Sequence, residues 1–283
     1  GNTFGTTFVN GTGYLVAYKS TSNVALTGTF KSGTSYTIGN LVYDAEKDLA
    51  NFHLLGNPFP FNMDWDNVKG NRLVEGFAVL NEDGDNYVYK TSGTIKVGEG
   101  FFIRTRVAEG TESELDLPSF THSITRGAEK ETVNSLNVIA TGNVGKDNVV
   151  INFAGESEGF PKLQNFNDAI ATVYVQDNGA NYGIYNCDEN TTEVELCFNA
   201  NQMGNYTISV EDSEEFEAVI LVDRFTGIET NMLLEDYTFT AMSEENNNRF
   251  ILKLAVSDQQ SAVSDNFVYQ NGEELIVAPQ LPL

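Results

Sequence analysis

The sequence predicts an all-β protein of two consecutive β-sandwich domains with a jelly-roll-like arrangement. Short runs rich in Val, Ile, Thr, Tyr and Phe recur along the chain, and Gly, Asn and Asp separate them. No long segment shows an apolar stripe at helical spacing, so long helices are not expected. Alternating strands bury one face each, and two such sheets enclose a core about 10 Å thick.

The clearest predicted strands are Gly13–Tyr18, Phe77–Leu80, Tyr87–Lys90, Phe101–Thr105, Asn148–Phe153, Ala171–Gln176, Tyr182–Asn186, Tyr206–Val210, Ala218–Val222, Tyr237–Ala241 and Phe250–Ala255. Asp83-Gly84 predicts a hairpin turn, because Gly supplies a positive φ. The segment Asp177–Asn181 predicts a second hairpin turn. One helical turn is expected around Asp44–Leu49.

The 283 residues carry a formal net charge of −24 and are 41% apolar. A chain of this length exceeds the usual size of a single domain, and its apolar fraction is high enough to form packed cores. The negative charge argues against nucleic acid as a partner, because such affinity comes mainly from Lys and Arg at phosphates. It also argues against docking on an anionic membrane.

The charge distribution places a boundary in the chain, since residues 1–124 carry a net −5 and residues 125–283 a net −19. We predict an N-terminal domain over 1–120 and a C-terminal domain over 133–256. Residues 257–283 are expected to hold a polar linker and the start of an incomplete further domain.

No apolar run approaches the roughly 18–20 residues that span a bilayer, so membrane insertion is not expected. The two cysteines, Cys187 and Cys197, do not form a disulfide framework. If 182–187 and 194–200 formed a hairpin, their sulfurs would not be directly opposed. A bridge would then need a shifted register, and whether they are bridged or are buried free thiols stays open.

The sequence does not single out catalytic residues. Gly155–Gly159 matches the G-x-S-x-G motif of hydrolases, but Phe160-Pro161 follows in place of a helix, and both histidines precede the serine. A glycoside hydrolase would need two carboxylates at a defined separation, and 40 acidic residues allow any pair to be chosen. We therefore expect a non-enzymatic protein.

The densest aromatic segment, 56–66, holds the strongest candidate for ligand binding. Trp65, the only tryptophan, stands between Asp64 and Asp66, and Phe61 precedes it closely. An exposed ring beside carboxylates can hold a sugar by stacking and hydrogen bonding. The alternative is an irregular loop whose aromatic side chains close the end of a sandwich.

The turn at 81–86 is rich in oxygen ligands and could hold calcium through Asp83 and Asp85. Its spacing does not match the EF-hand, and a hairpin turn also explains these residues. Apart from possible calcium, we expect no cofactor.

Ten short motifs follow one another in a recognisable order. They are Gly11–Val16, Thr27–Phe30, Leu54–Phe59, Val97–Ile103, Phe160–Leu163, Asn205–Ile208, Leu221–Gly227, Asn248–Leu252, Asn266–Tyr269 and Glu274–Val277. The order of the first eight resembles a conserved β-sandwich module that precedes the sorting domain of type IX secretion in secreted and surface proteins of Bacteroidetes bacteria. The last two, Asn266–Tyr269 and Glu274–Val277, resemble the lead-in to that C-terminal sorting domain, so the resemblance implies that the incomplete further domain in 257–283 is of the sorting type.

The resemblance implies export to the cell surface or medium, and it carries no catalytic residues. We expect a non-catalytic module of a larger exported protein that serves in adhesion, as a spacer or in ligand presentation. Its partner would be a glycan or a host or cell-surface protein. The alternative is a carbohydrate-binding module that assists a glycan-degrading enzyme.

Overall fold

The computed structural model describes residues 8–16, 33, 35–39, 41–107, 119–123, 135–153, 155, 157–213, 216–242, 245–256, 267–271 and 274–278. The predicted all-β class is confirmed: strands dominate these residues, and their helical segments are two short 3-10 helices, Asp48–Asn51 and Trp65–Asn67. The chain divides into two compact units. One holds Gly1–Leu80 and Lys90–Thr132, and the other holds Asn81–Tyr89 and Val133–Leu283.

The strands described up to residue 123 are β1 (Ser35–Ile38), β2 (Phe52–Gly56), β3 (Met63–Asp64), β4 (Val68–Asn71), β5 (Phe77–Leu80), β6 (Tyr87–Lys90), β7 (Thr94–Ile95), β8 (Gly100–Arg104) and β9 (Ser119–Ser123). In the first unit, β2, β8 and β5 are neighbours in one antiparallel sheet. A second sheet has the order β1-β9-β4, and β3 pairs with β7.

The core of the first unit lies where these strands bury large side chains. Phe77, Met63, Ile95 and Ile103 have no exposed surface, and Phe101 is 1% exposed. The apolar run of β5 is buried on both faces through Val79, as expected for a short strand without alternation. This core forms the support beneath the aromatic segment 56–66.

The strands of the second half are β10 (Ser135–Thr141), β11 (Lys146–Asn152), β12 (Phe160–Pro161), β13 (Thr172–Asp177), β14 (Ala180–Asn186), β15 (Glu193–Ala200), β16 (Gly204–Glu211), β17 (Phe216–Asp223), β18 (Ile228–Asn231), β19 (Tyr237–Ala241), β20 (Glu245–Val256), β21 (Phe267–Asn271) and β22 (Glu274–Ala278). Their main sheet follows the order β18-β17-β20-β15-β13-β14-β11-β10-β16-β19, with β12 on β14. β21 and β22 form a separate hairpin.

Strand β13 joins the two halves of this β-sandwich, because it pairs with β14 on one side and β15 on the other. Side chains from both halves fill one core. Its members include Val138 and Val149 from one half, Phe198 and Leu252 from the other, and Phe239 from β19. The alternating burial of β10 and β19 matches strands with one face in this core.

Three predicted strands, Phe77–Leu80, Tyr87–Lys90 and Tyr237–Ala241, match the structure residue for residue. The strand predicted over Gly13–Tyr18 is wrong in its described part, because 13–16 run irregularly. There Gly13 lies so close to Leu55 that a Cβ would meet the Leu55 carbonyl, and a backbone hydrogen bond links it to Leu54.

The hypothetical hairpin of 182–187 and 194–200 is not formed. β14 and β15 are consecutive in the chain, but β13 lies between them in the sheet. The helical turn expected at Asp44–Leu49 is displaced to the 3-10 helix Asp48–Asn51. Residues 108–118, 124–134 and 257–266 lie outside the described residues, and they include most of the stretch between the two predicted domains and the start of the predicted polar linker after residue 256.

Candidate functional site

The loop after β2 is held in shape by one asparagine. The Asn57 side-chain amide donates to the carbonyls of Phe61 at 2.9 Å and Lys96 at 3.1 Å, and its oxygen accepts from the Phe59 amide at 2.9 Å. Two prolines, Pro58 and Pro60, lack backbone donors and favour an extended path. The Asn57 side chain therefore satisfies backbone groups of this irregular segment and links it to the Lys96 carbonyl.

Phe59 anchors the loop, and Phe61 lies on top of it. Phe59 is 2% exposed, and its ring is stacked on that of Phe61 with centroids 4.8 Å apart. The Phe59 ring also lies near two other rings, with its centroid 5.4 Å from that of His122 and 6.5 Å from that of Tyr36. Phe61 is half-buried, so part of its ring stays at the surface.

Trp65 is also half-buried and lies on the core of the first unit. Its ring centroid is 4.4 Å from that of Phe77 and 6.5 Å from that of Phe101. Its backbone amide donates to the Gly93 carbonyl at 2.8 Å. The position of the indole is thus fixed from below by two buried rings.

Asp64 and Asp66 flank the indole and are exposed. The Asp64 carboxylate accepts a hydrogen bond from the Asp66 amide at 3.3 Å and so caps the 3-10 helix Trp65–Asn67. Asp64 therefore has a local structural role that the sequence analysis did not identify, although an N-terminal cap residue followed by a short helix is a recognisable signal.

Asp83 and Asp85, the candidate calcium ligands, differ in environment. Asp83 is exposed at the tip of the turn, where Gly84 has φ +71° as predicted. The Asp85 carboxylate accepts from the amides of Asn81 at 2.9 Å and Asn167 at 3.2 Å. Within the described ranges, no group of three or more His, Cys, Asp or Glu side chains is arranged to hold a metal ion.

A buried ion pair that the sequence did not reveal ties β17 to β20. Arg249 donates from Nε to Asp223 Oδ1 at 2.9 Å and from Nη2 to Oδ2 at 2.7 Å, while the Tyr237 hydroxyl donates to Oδ2 at 2.7 Å. Burial alone would raise the pKa of Asp223, but these hydrogen bonds outweigh it and lower the pKa. The Phe239 ring lies 4.5 Å from the guanidinium.

A second buried pair, Lys162 and Asp147, lies in the same unit. Lys162 Nζ is 2.8 Å from Asp147 Oδ2 and 2.9 Å from Oδ1, and it also donates to the Asn148 carbonyl at 2.7 Å. Burial raises the pKa of Asp147 and lowers that of Lys162, against the opposing effect of each partner. Asp147 and Lys162 are 15 residues apart in the chain, and no local sequence pattern indicates that they pair.

Both cysteines are free and buried, and they lie on different strands or their ends. Cys197 in β15 is opposite Tyr174 in β13, whereas Cys187 follows β14 and its amide donates to the Asn152 carbonyl at 2.9 Å. Burial raises the pKa of the Cys187 thiol to about 11. Of the two alternatives left open by the sequence, the structure has the buried free thiols.

The architecture defines a β-sandwich protein. The chain matches no protein-family model, no curated protein and no solved structure. Among the described residues, no helix has the length and apolar character needed to cross a membrane.

Proposed function

We propose that this chain is a non-catalytic module of a larger exported bacterial protein and that it holds and presents a ligand surface away from the cell. The observation that carries the proposal is the aromatic surface that Phe61 and Trp65 form on the first unit. Phe61 and Trp65 each expose part of a ring whose underside rests on a buried ring. Such rings lose little conformational freedom when a partner covers them.

The ligand class that best fits this surface is a glycan. A sugar ring stacks on an aromatic face, and its hydroxyls donate to carboxylates such as Asp64 and Asp66, which are exposed beside Trp65. A host or cell-surface protein is the other partner class for an adhesion module. The net charge of −24 would repel acidic polysaccharides, so neutral glycans are the expected ligands.

Two buried pairs of ionisable side chains support a holding role. Asp223 with Arg249 and Asp147 with Lys162 each join separate segments of the sandwich. Ionisable groups with shifted pKa values often mark catalytic sites, but structural ion pairs shift pKa values as well. Here each of the four groups is engaged by a partner within the fold.

Glycan-array binding of the chain tests the ligand class. We expect binding to neutral glycans that is lost in Trp65→Ala and weakened in Phe61→Ala, because each change removes a stacking surface. Phe225→Ala is the matched control, since Phe225 is 81% exposed but lies in the second unit. Binding that survives both loop variants would exclude this surface.

Location and the absence of catalysis need separate tests. When the full-length protein is expressed in a Bacteroidetes bacterium, we expect to find it in the medium, or to see it cleaved by protease that is added to intact cells. Retention inside the cells would contradict export. Release of sugars from any bound glycan, abolished by a carboxylate substitution, would contradict the non-catalytic assignment and favour a glycosidase.

A further inference from the structure

Lys162 and Asp147 bring an amine and a carboxyl group into contact inside the second unit. Their side chains are 6% and 0% exposed, and Nζ lies 2.8 and 2.9 Å from the two carboxyl oxygens. Because the carboxyl carbon is bonded to both oxygens, the amine nitrogen is a near neighbour of the carbon that it would attack.

The surroundings are suited to a reaction between them. The Val173 backbone amide donates to Asp147 Oδ2 at 2.8 Å, and the Asn86 side-chain amide lies 3.4 Å from Oδ1. The Asn148 carbonyl accepts from Lys162 Nζ at 2.7 Å, and the Tyr89 ring covers Nζ with its centroid 4.6 Å away. The amine, the carboxyl group and a backbone N–H that can stabilise an oxyanion are thus held together in a largely buried site, and the Asn148 carbonyl orients the amine by accepting its hydrogen bond.

We propose that Lys162 and Asp147 condense into an intramolecular isopeptide bond that cross-links the second unit after folding. The role is independent of the glycan surface and would be an autocatalytic modification of the fold itself.

The step balances without an added reactant. The neutral Lys162 amine attacks Asp147 Cγ, and the charge that develops on Oδ2 is stabilised by the Val173 N–H, as in an oxyanion hole. Oδ1, which carries the carboxylic acid proton, receives a proton from the amine nitrogen and leaves as water. The products are one amide and one water, and neither carbon nor nitrogen changes oxidation state.

The protonation states agree with this step. Burial raises the pKa of Asp147 and lowers the pKa of Lys162, so it favours the neutral acid and the neutral amine over the ion pair. Transfer of one proton from Nζ to the adjacent carboxylate generates both reactive forms at once.

The bond would close a covalent ring over residues 147–162. Asp147 belongs to β11 and Lys162 follows β12, and both of these strands pair with β14. A cross-link there would prevent the segment after β12 from separating from the sheet under a pulling force, which a hydrogen-bonded ladder alone resists less well.

Intact mass spectrometry of the unmodified full chain, denatured and without added reagents, tests the proposal. We expect the mass to be lower than that of the 31.1 kDa sequence by one water, about 18 Da. Trypsin should fail to cut after Lys162, so that one peptide runs from Asp147 to Arg224 with the same deficit. Hydrolysis of the peptide bond after Glu158 should add one water but leave the two parts in one molecule, because the isopeptide bond still joins Asp147 to Lys162.

Three outcomes would overturn the proposal. They are an intact mass equal to that of the full sequence, a tryptic peptide 147–162 that is not linked to another peptide, and a mass deficit of one water that persists in Lys162→Met. Lys253→Met is the matched control, since Lys253 contacts Glu229 at 2.9 Å in a more exposed pair, and it should keep the deficit. Dehydration at Asp83-Gly84 would give the same mass change, but it would map to another peptide and reverse in mild alkali. The readout on the wild-type chain does not depend on whether either variant folds.

Discussion

Arg249 and Asp223 form two parallel hydrogen bonds in the interior of the second unit, Nε to Oδ1 at 2.9 Å and Nη2 to Oδ2 at 2.7 Å. Their side chains are 3% and 0% exposed. The same carboxylate accepts from the Phe225 amide at 2.9 Å, so it also fixes the turn between β17 and β18. The ion pair therefore links β17 to β20, and its carboxylate also holds the first residues of the turn after β17.

Replacing Arg249 by Met should destabilise the protein by about 3–5 kcal/mol, because the buried Asp223 carboxylate loses its partner. Urea unfolding followed by circular dichroism measures the change. Arg224→Met is the matched control: Arg224 pairs with Glu195 at the surface, and such pairs contribute about 1 kcal/mol or less. Equal losses in both variants would show that the burial of the Arg249 pair has no energetic consequence.

The lowered pKa of Asp223 predicts how stability depends on pH. A carboxyl whose folded pKa lies below its unfolded value of about 3.9 contributes stability that is complete above that value and is lost as the pH falls through the folded pKa. The stability difference between the wild type and Asp223→Asn should therefore be full at neutral pH and shrink below pH ~4. Urea unfolding of both proteins across this range measures it.

The difference between the two proteins is the informative quantity, since the pKa of Asp147 is shifted the opposite way and affects stability with the opposite sign. Asp147 is present in both proteins, so its contribution cancels. A stability difference that stays constant down to the pH of acid unfolding would contradict a lowered pKa for Asp223.

The sequence predicts the strands well and their partners poorly. Period-two alternation is a local property, and it located Tyr237–Ala241 residue for residue. The insertion of β13 between β14 and β15 depends on contacts across the whole sheet, which no local pattern encodes. The same holds for Asp223 and Arg249, which are 26 residues apart in the chain.

Composition alone indicates the candidate ligand loop, but it does not predict how the side chains of this loop pack. The clustering of aromatic and acidic residues in this segment predicts ligand contacts by four side chains: Phe61, Asp64, Trp65 and Asp66. That Phe61 stacks on Phe59 while Trp65 lies on Phe77 depends on how β2, β5 and β8 assemble. The sequence therefore indicated which side chains to consider, and the tertiary packing determined which surface each one presents.

The cysteines provide a prediction about reactivity. In the native protein, a thiol reagent at neutral pH should modify Cys187 and Cys197 slowly, because both are buried and burial raises their pKa values. In denaturant without a reductant, two thiols per chain should react rapidly. Finding no reactive thiol in the denatured protein would reveal a disulfide and contradict the structure.

The close approach of Gly183 to Tyr89 predicts a specific effect of one methyl group. A Cβ at Gly183 would overlap the Tyr89 ring, which is 1% exposed and cannot move outward without leaving its site. The ring's hydroxyl accepts from the Leu163 amide at 2.6 Å, and its face covers Lys162 Nζ. Gly183→Ala should therefore cost about 1–3 kcal/mol through overpacking.

Gly204→Ala separates this effect from the general cost of changing a strand glycine. Gly204 begins β16, and the nearest atom to an added Cβ is Asn143 Nδ2 at 3.8 Å, an ordinary contact. Its stability should change by no more than about 0.5 kcal/mol in either direction. Urea unfolding of both variants measures the comparison. If Gly183→Ala were as stable as Gly204→Ala, Tyr89 would not be seated on β14, and the cover over Lys162 would have to come from another side chain.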